Sequence, residues 1–279
     1  GILPFIIPGE AVRSGNHAGQ QLQKMSYSPR EILHKKDFAD MIDRESEDVC
    51  QVIMALAQEL GLRLGRRWRT RGKGTQVDLR ASIRASLRHG GELLALRKRR
   101  RQPKKTRFVV LCDVSGSMDS YSRFLLQFMH GFQRHVPRVE TFVFSTRLTR
   151  ITPHLRMGKM DVAYELISEK VSHWSGGTRI RNSLSEYNKR YGPRYSGPNT
   201  VFILLSDGWD QGEIALLEKE MKALRSRIKR LMWLNPLLGM PDYRPVDRGM
   251  RTALPHVEDF LDCHNLDGLE AFGRKLEKV

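Results

Sequence analysis

Asp113, Ser115 and Ser117 stand at i, i+2 and i+4 in the segment DVSGSM, with Gly116 free to turn the chain sharply between the two serines. Three hard oxygen side chains at that spacing can converge on one cation. Two further loops offer oxygens of the same kind: Thr178 follows two glycines in WSGGTR, and Asp207 lies in SDGWD. Together the three loops describe an octahedral oxygen site for Mg²⁺ or Mn²⁺, with water in the remaining positions. Simpler roles exist for each residue. Ser115 or Ser117 can cap the helix that follows, Thr178 can cap its own, and Asp207 with Gly208 can form an ordinary turn. Capping alone does not explain why all three loops carry oxygen donors. A nucleophilic serine is disfavoured, because no GxSxG elbow occurs and neither of the other two loops contains a histidine. DVSGS also lacks the second aspartate of an aspartate-based phosphatase.

These loops need elements to hold them at one place. FVVLC (Phe108 to Cys112) is a continuous apolar run of the kind a central parallel strand needs when both its faces are buried. Tyr121, Phe124, Leu125, Phe128, Met129 and Phe132 follow at helical spacing. Strands are expected at Thr141 to Phe144 and around Leu148 to Ile151. Helices are expected through Met160, Ala163, Tyr164 and Ile167, and through Ile180, Leu184, Tyr187 and Tyr191. VFILL (Val201 to Leu205) reads as a second fully buried strand, followed by a helix through Ile214, Leu217, Met221 and Leu224. A strand near Leu231 to Leu234, an edge strand around Val257 to Leu261 and a helix from Leu266 to Leu276 complete the pattern. Strands alternating with helices predict an α/β fold, a doubly wound and mostly parallel sheet, in which ligands bind where loops leave the carboxyl ends of the strands. Asp113 and Asp207 stand at such ends.

Upstream the texture differs. Residues 1–30 mix Pro, Gly, Ser and Gln and read as a loosely ordered arm. Residues 31–105 read as a helical, basic extension, and residues 106–279 as the α/β domain. In the extension Val49, Val52, Ile53, Leu56, Ala57 and Leu60 recur at helical spacing, and Gly61 is placed to end that run, leaving a loop to Gln76. A second helix is expected from about Asp78 to Arg88, with Leu79, Ile83 and Leu87 on a packing face. Arg80, Arg84 and Arg88 form a neighbouring cationic stripe.

The chain has 279 residues and a net charge of +17. Arg63 to Arg107 holds 17 Lys and Arg against only Asp78 and Glu92, which is +15, so the charge is a regional device. Such a segment can attract nucleic acid, an anionic membrane surface or an acidic protein face. Only Trp68 is aromatic within it, which leaves few platforms for stacking single-stranded bases. Cys50, Cys112 and Cys263 show no metal-ligand spacing and fit a reducing cytoplasm, Cys112 as a buried strand residue. No run approaches the ~18 apolar residues of a membrane span, and the opening residues lack a basic region before their short apolar stretch. The expectation is a cytoplasmic chain without a signal peptide. It begins with Gly and is expected to be a fragment or processed product of something longer. No GxxxxGK[ST] is present, so any ATP hydrolysis must come from a partner.

DxSxS after an apolar strand, a Gly-Gly-Thr loop and a later SDG after a second apolar strand, in this order, resemble the metal-ion-dependent adhesion site of von Willebrand factor A domains. The resemblance implies that Ser115, Ser117 and Thr178 place hydroxyls on the metal, with Asp113 and Asp207 ligating directly or through water. SPREILHKKDFADM, VDLRASIRASLRHGGE, the basic linker, WSGGTRI, LSDGWDQG, WLNPL and GMRTALPHVEDFL are similar to the bacterial CoxE-like proteins, over about residues 27 to 279. Those proteins are encoded beside MoxR-type AAA+ ATPases. What the resemblance implies is a non-catalytic adaptor that couples such an ATPase to a client, for example a metalloenzyme under maturation such as carbon monoxide dehydrogenase. An acidic residue of the client would complete the Mg²⁺ shell. Trp174 and Trp209 flank two of the loops and either frame the entrance for a partner or pack the loops, and the Arg80, Arg84 and Arg88 stripe is a second candidate face. The alternative is RNA or other nucleic-acid binding through residues 63–107.

Overall fold

The computed structural model describes residues 34–41, 43–69, 76–77, 83, 87, 98–99, 106–157, 180–208 and 213–278. A two-residue antiparallel ladder joins β1 (Gln76–Val77) to β2 (Lys98–Arg99) inside the basic segment. The main sheet has six strands: β3 (Arg107–Asp113), β4 (Val139–Phe144), β5 (Leu148–Arg150), β6 (Thr200–Leu205), β7 (Arg230–Asn235) and β8 (Asp259–Asp262). Their order is β5-β4-β3-β6-β7-β8, and only β5 runs antiparallel to its neighbour.

The helices are α1 (Asp43–Arg69), α2 (Asp119–His135), α3 (Thr152–Leu155), α4 (Ile180–Glu186), α5 (Gly192–Tyr195), α6 (Ile214–Arg225), α7 (Arg248–Ala253) and α8 (Leu266–Leu276). The apolar strands divide their side chains by parity, as the two-residue period of a strand requires. Phe108, Val110 and Cys112 join Val201, Ile203 and Leu205 in a core covered by α1, α2 and α8. Val109 and Leu111 join Phe202, Leu204, Leu231 and Trp233 in a second core, under α4, α6 and α7. Both faces of β3 and β6 are therefore buried, which is why these segments are unbroken apolar runs. The fold is α/β, with a mostly parallel sheet between helical layers.

The amino-terminal helix departs from the expected pattern. Gly61 does not stop it; α1 continues to Arg69. The reason is packing, since a Cβ at Gly61 would overlap the Cβ of His135 on α2, and one at Gly131 would lie 2.7 Å from the Cβ of Ala57. The two glycines let the helices cross closely. The segment before α1 is also tied down: Phe38 stacks on Phe124 with centroids 4.6 Å apart, and its amide donates to the His264 carbonyl at 2.9 Å. Arg63 pairs with Glu277 beyond α8 at 2.9 Å. Val49, Ile53, Ala57, Leu60 and Leu64 thus share the core of the sheet's first face.

Three smaller expectations are corrected. The strand placed around Val257 begins at Asp259, at the sheet edge as expected. Ile83 and Leu87, assigned to a packing face, are 50% and 71% exposed. The helix through Tyr187 and Tyr191 passes through a π turn over Tyr187–Tyr191, in which the Gly192 amide donates to the Tyr187 carbonyl. Pro193 has no N–H to continue a regular ladder there. The helix expected around Met160 to Ile167 lies outside the described residues. Among the described residues no helix is long and apolar enough to cross a membrane.

Candidate metal centre

The chain leaves β3 toward β4 through α2, and returns on the other side of β3 as β6. The loops after β3 and β6 therefore diverge from adjacent strand ends, which opens a crevice at the carboxyl edge between them. Asp113 ends β3, and Ser206 and Asp207 follow β6 directly.

Asp113 is fully buried, and both its carboxylate oxygens are held. Oδ1 accepts from the Ser115 amide at 2.9 Å, and Oδ2 accepts from the Ser206 hydroxyl at 2.8 Å. The first bond folds the chain back so that Ser115 and Ser117 lie side by side, their Oγ atoms 3.2 Å apart. Neither hydroxyl caps a helix. Ser115 precedes a 3-10 turn over Gly116–Met118 without a side-chain capping bond, and Met118 holds the position before α2. The capping role weighed for these serines is therefore not the one they play. Ser117 is exposed and Ser115 is buried, so the pair spans the mouth and wall of the crevice.

Asp207 is also buried. Its backbone carbonyl accepts from Asn235 Nδ2 at 3.0 Å and from the Tyr243 hydroxyl at 3.2 Å, which fixes the loop from the β7 side. Asn235 itself is wholly buried, and its Oδ1 caps the turn beginning at Pro236. Gly208 completes the loop with φ of +87°, a conformation that disfavours any side chain, and a Cβ there would overlap the sulfur of Met250. The glycine of the SDG motif is thus required twice over.

Desolvation by burial pushes the Asp113 carboxyl up to about 7, the nearby charge of Asp207 pushes in the same direction, and the bonds from Ser115 and Ser206 pull it partly back. Two buried carboxylates at one crevice are costly as a pair of bare anions and favourable around a divalent cation. With two serine hydroxyls adjacent, the donor set is composed of hard oxygens throughout, which fits Mg²⁺ or Mn²⁺ and does not fit a thiolate- or imidazole-seeking metal. Asp113, Ser115, Ser117 and Asp207 are therefore the described residues able to hold the ion.

The remaining predicted positions, Thr178, Trp174, Trp209 and Arg80, Arg84 and Arg88, lie outside the described residues. Three positioning residues escaped the sequence reading. Ser206 links the two metal loops, since its Oγ also accepts from the Gly208 amide at 3.1 Å, and its place in the SDG motif was the available signal. Asn235 and Tyr243 reach Asp207 from a separate strand and loop, and nothing in their local sequence marks them.

The sequence and this geometry can be set beside known proteins. No curated protein matches the chain. Among solved structures, the conserved hypothetical protein BatB from Bacteroides thetaiotaomicron is similar at 17% identity with a TM-score of 0.44, over 62% of this chain and 98% of that one. A von Willebrand factor type A protein from Catenulispora acidiphila aligns at 16% identity with a TM-score of 0.42, over 63% of this chain and 42% of that one. The family model described as a VWA domain containing CoxE-like protein matches residues 51–269, which takes in the Asp113 and Asp207 loops together with most of α1. With that match across most of its length, the chain belongs to the CoxE-like family of von Willebrand factor A (VWA) domain proteins.

Proposed function

We propose that this protein is a metal-dependent adaptor without turnover of its own, which binds an acidic side chain of a partner at the Asp113/Ser115/Ser117/Asp207 edge. In the CoxE-like setting the partner is a MoxR-type AAA+ ATPase, or the client protein on which that ATPase acts, such as a metalloenzyme under maturation. The observation that carries the reading is the burial of two carboxylates, Asp113 and Asp207, beside a facing pair of serine hydroxyls at one sheet edge.

Mg²⁺ or Mn²⁺, when bound there, supplies a positive centre that attracts a carboxylate from outside. The protein's own residues prepare for it. Ser206 and the Ser115 amide hold the Asp113 carboxylate in one orientation, so no reorganisation is needed when the ion arrives. Ser115 and Ser117 are neutral donors, which leaves the bound cation's charge less compensated than an all-carboxylate shell would. Asn235 and Tyr243 immobilise the Asp207 loop. A carboxylate meeting a divalent charge in a partly dry crevice is worth more than an exposed ion pair, which contributes ~0–1 kcal/mol.

The test is co-purification of the protein with its cognate MoxR-type ATPase or their shared client, in Mg²⁺ and in EDTA. The wild type is compared with the double variant Ser115→Ala/Ser117→Ala. Retention in Mg²⁺ and loss in EDTA and in the double variant is the expected outcome. Association indifferent to both the metal and the serines would refute the reading and shift attention to the basic segment.

A further inference from the structure

Beside the candidate cation edge lies a cavity of about 580 Å³ lined by Ser117 and Asp207 of that edge and by Leu237, Met240, Pro241, Asp242 and Tyr243. Its volume lies within the ~300–1,000 Å³ range of pockets that take a specific ligand group. The side from Leu237 to Tyr243 is built from the loop after β7, and it is fastened to the metal loop through shared atoms. Asn235 Nδ2 donates both to the Asp207 carbonyl and to the Tyr243 hydroxyl at 2.9 Å, and the Tyr243 hydroxyl donates to the same carbonyl. Leu237 is held by its amide, which donates to Asn235 Oδ1 at 2.8 Å. The pocket and the Asp207 loop are therefore joined through shared hydrogen bonds. Met240 is 43% exposed there, an apolar side chain kept at the surface.

From this arrangement we infer that the partner is recognised by two adjacent side chains: a carboxylate directed to the cation edge and a bulky apolar side chain seated against Leu237, Met240 and Pro241. This rests on the adaptor reading above and adds the chemical class of the partner segment. Charge complements the assignment. Among the described residues that line the cavity the ionisable groups are Asp207, Asp242 and Tyr243, none of them cationic, so a carboxylate of the occupant is directed to the cation edge and away from Asp242. Exposed Asp242 disfavours a second acidic residue beside the first. In an extended peptide, side chains two residues apart point the same way, about 7 Å apart, so an acidic residue followed two positions later by an apolar one suits the site, and a directly following apolar residue reaches it only if the segment turns.

The experiment uses the whole protein carrying ¹³C-methyl methionine and leucine, titrated with short blocked peptides up to 10 mM while the Met240 and Leu237 methyl resonances are followed. The probes contain Glu-Leu or Glu-Gly-Leu, with Glu-Ser, Glu-Gly-Ser, Gln-Leu and Gln-Gly-Leu as controls, each in Mg²⁺ and in EDTA. In Mg²⁺, at least one Glu/Leu peptide is expected to shift both methyls and to bind at least fivefold more tightly than its serine counterpart. Met240→Ser, read through the Leu237 methyls, is expected to remove that preference. Magnesium affinity is measured in parallel by calorimetry. If serine and leucine peptides bind alike in a magnesium-dependent way, or no peptide binds, the pocket assignment is overturned. Equal binding of Glu and Gln peptides, unaffected by EDTA, would overturn the metal reading itself. Binding that needs both side chains and the metal sustains both.

Discussion

Asp113 concentrates the site's chemistry because it is buried, doubly hydrogen-bonded and near a second buried acid. Burial pushes its carboxyl up to about 7, so at pH 8 the ionised form opposes folding of the metal-free protein. Asp113→Asn keeps the acceptor for the Ser115 amide and removes that charge. The expected result is unchanged or higher stability without metal, by chemical denaturation, together with loss of Mg²⁺ binding by calorimetry. Ser206→Ala should have the opposite balance, because it strips a hydrogen bond from a buried carboxylate and an acceptor from the Gly208 amide. A cost of about 1–3 kcal/mol is expected, with weaker Mg²⁺ binding as well. Gly208→Ala meets both a positive φ and the Met250 sulfur. We expect it to lower stability by roughly 2 kcal/mol or more and to displace Asp207, read as loss of metal affinity beyond that of Ser206→Ala.

The α1–α2 crossing shows how two opposing local effects are decided by contact. An alanine at Gly61 would gain about 1 kcal/mol of intrinsic helix preference. Against that stands an overlap with His135 that requires the helices to separate, with overpacking costs of about 1–3 kcal/mol and more when backbone must shift. Net destabilisation of α1 is therefore expected for Gly61→Ala, and a larger loss for Gly61→Leu, measured as a lower denaturation midpoint. An improved midpoint would mean that the two helices do not approach so closely. Elements also explain why the metal loops hold their shape. Each begins at the end of a buried strand, where Val114 N still donates to the Phe144 carbonyl and Ser206 N to the Leu234 carbonyl, so the ladder anchors the backbone that carries Asp113 and Asp207.

Across the molecule, Asp113, Ser115, Ser117 and Asp207 sit at the carboxyl edge of the sheet, while the +15 segment leaves the chain of α1 and re-enters at the amino-terminal end of β3. Its two ends are engaged within the fold: Arg63 pairs with Glu59 and Glu277, and Arg107 donates to the Arg194 carbonyl at 2.6 Å. The two regions should respond separately. Mg²⁺ at a hundredfold excess over its dissociation constant is expected to stabilise the protein by about 2.7 kcal/mol, an upward shift in melting temperature of roughly 5–10 °C. EDTA should reverse it, and Asp113→Asn should abolish it. Any association through the basic segment should weaken instead with rising salt, for nucleic acid with a slope set by the number of phosphates contacted.

The strand and helix sequence, the buried strands at Phe108 and Val201, and the placement of Asp113 and Asp207 at adjacent strand ends were legible without a structure. Their signals are local: two-face burial makes a strand uniformly apolar, helical faces repeat, and DVSGS and SDG fall at the ends of the runs that place them. The role of Gly61 was misread because a helix stop and a helix contact use the same residue, and only the facing His135 tells them apart. Ser206, Asn235 and Tyr243 were invisible for a related reason. Their hydrogen bonds join loops and strands distant in the chain, from Asp113 to Ser206 and from Asp207 to Tyr243, and no periodicity or spacing records a partner that only folding brings near. The amino-terminal helix belongs to the same core for the same physical cause: its apolar stripe announces that it must be buried, but the α2 and α8 surface that buries it is assembled from segments distant in the chain.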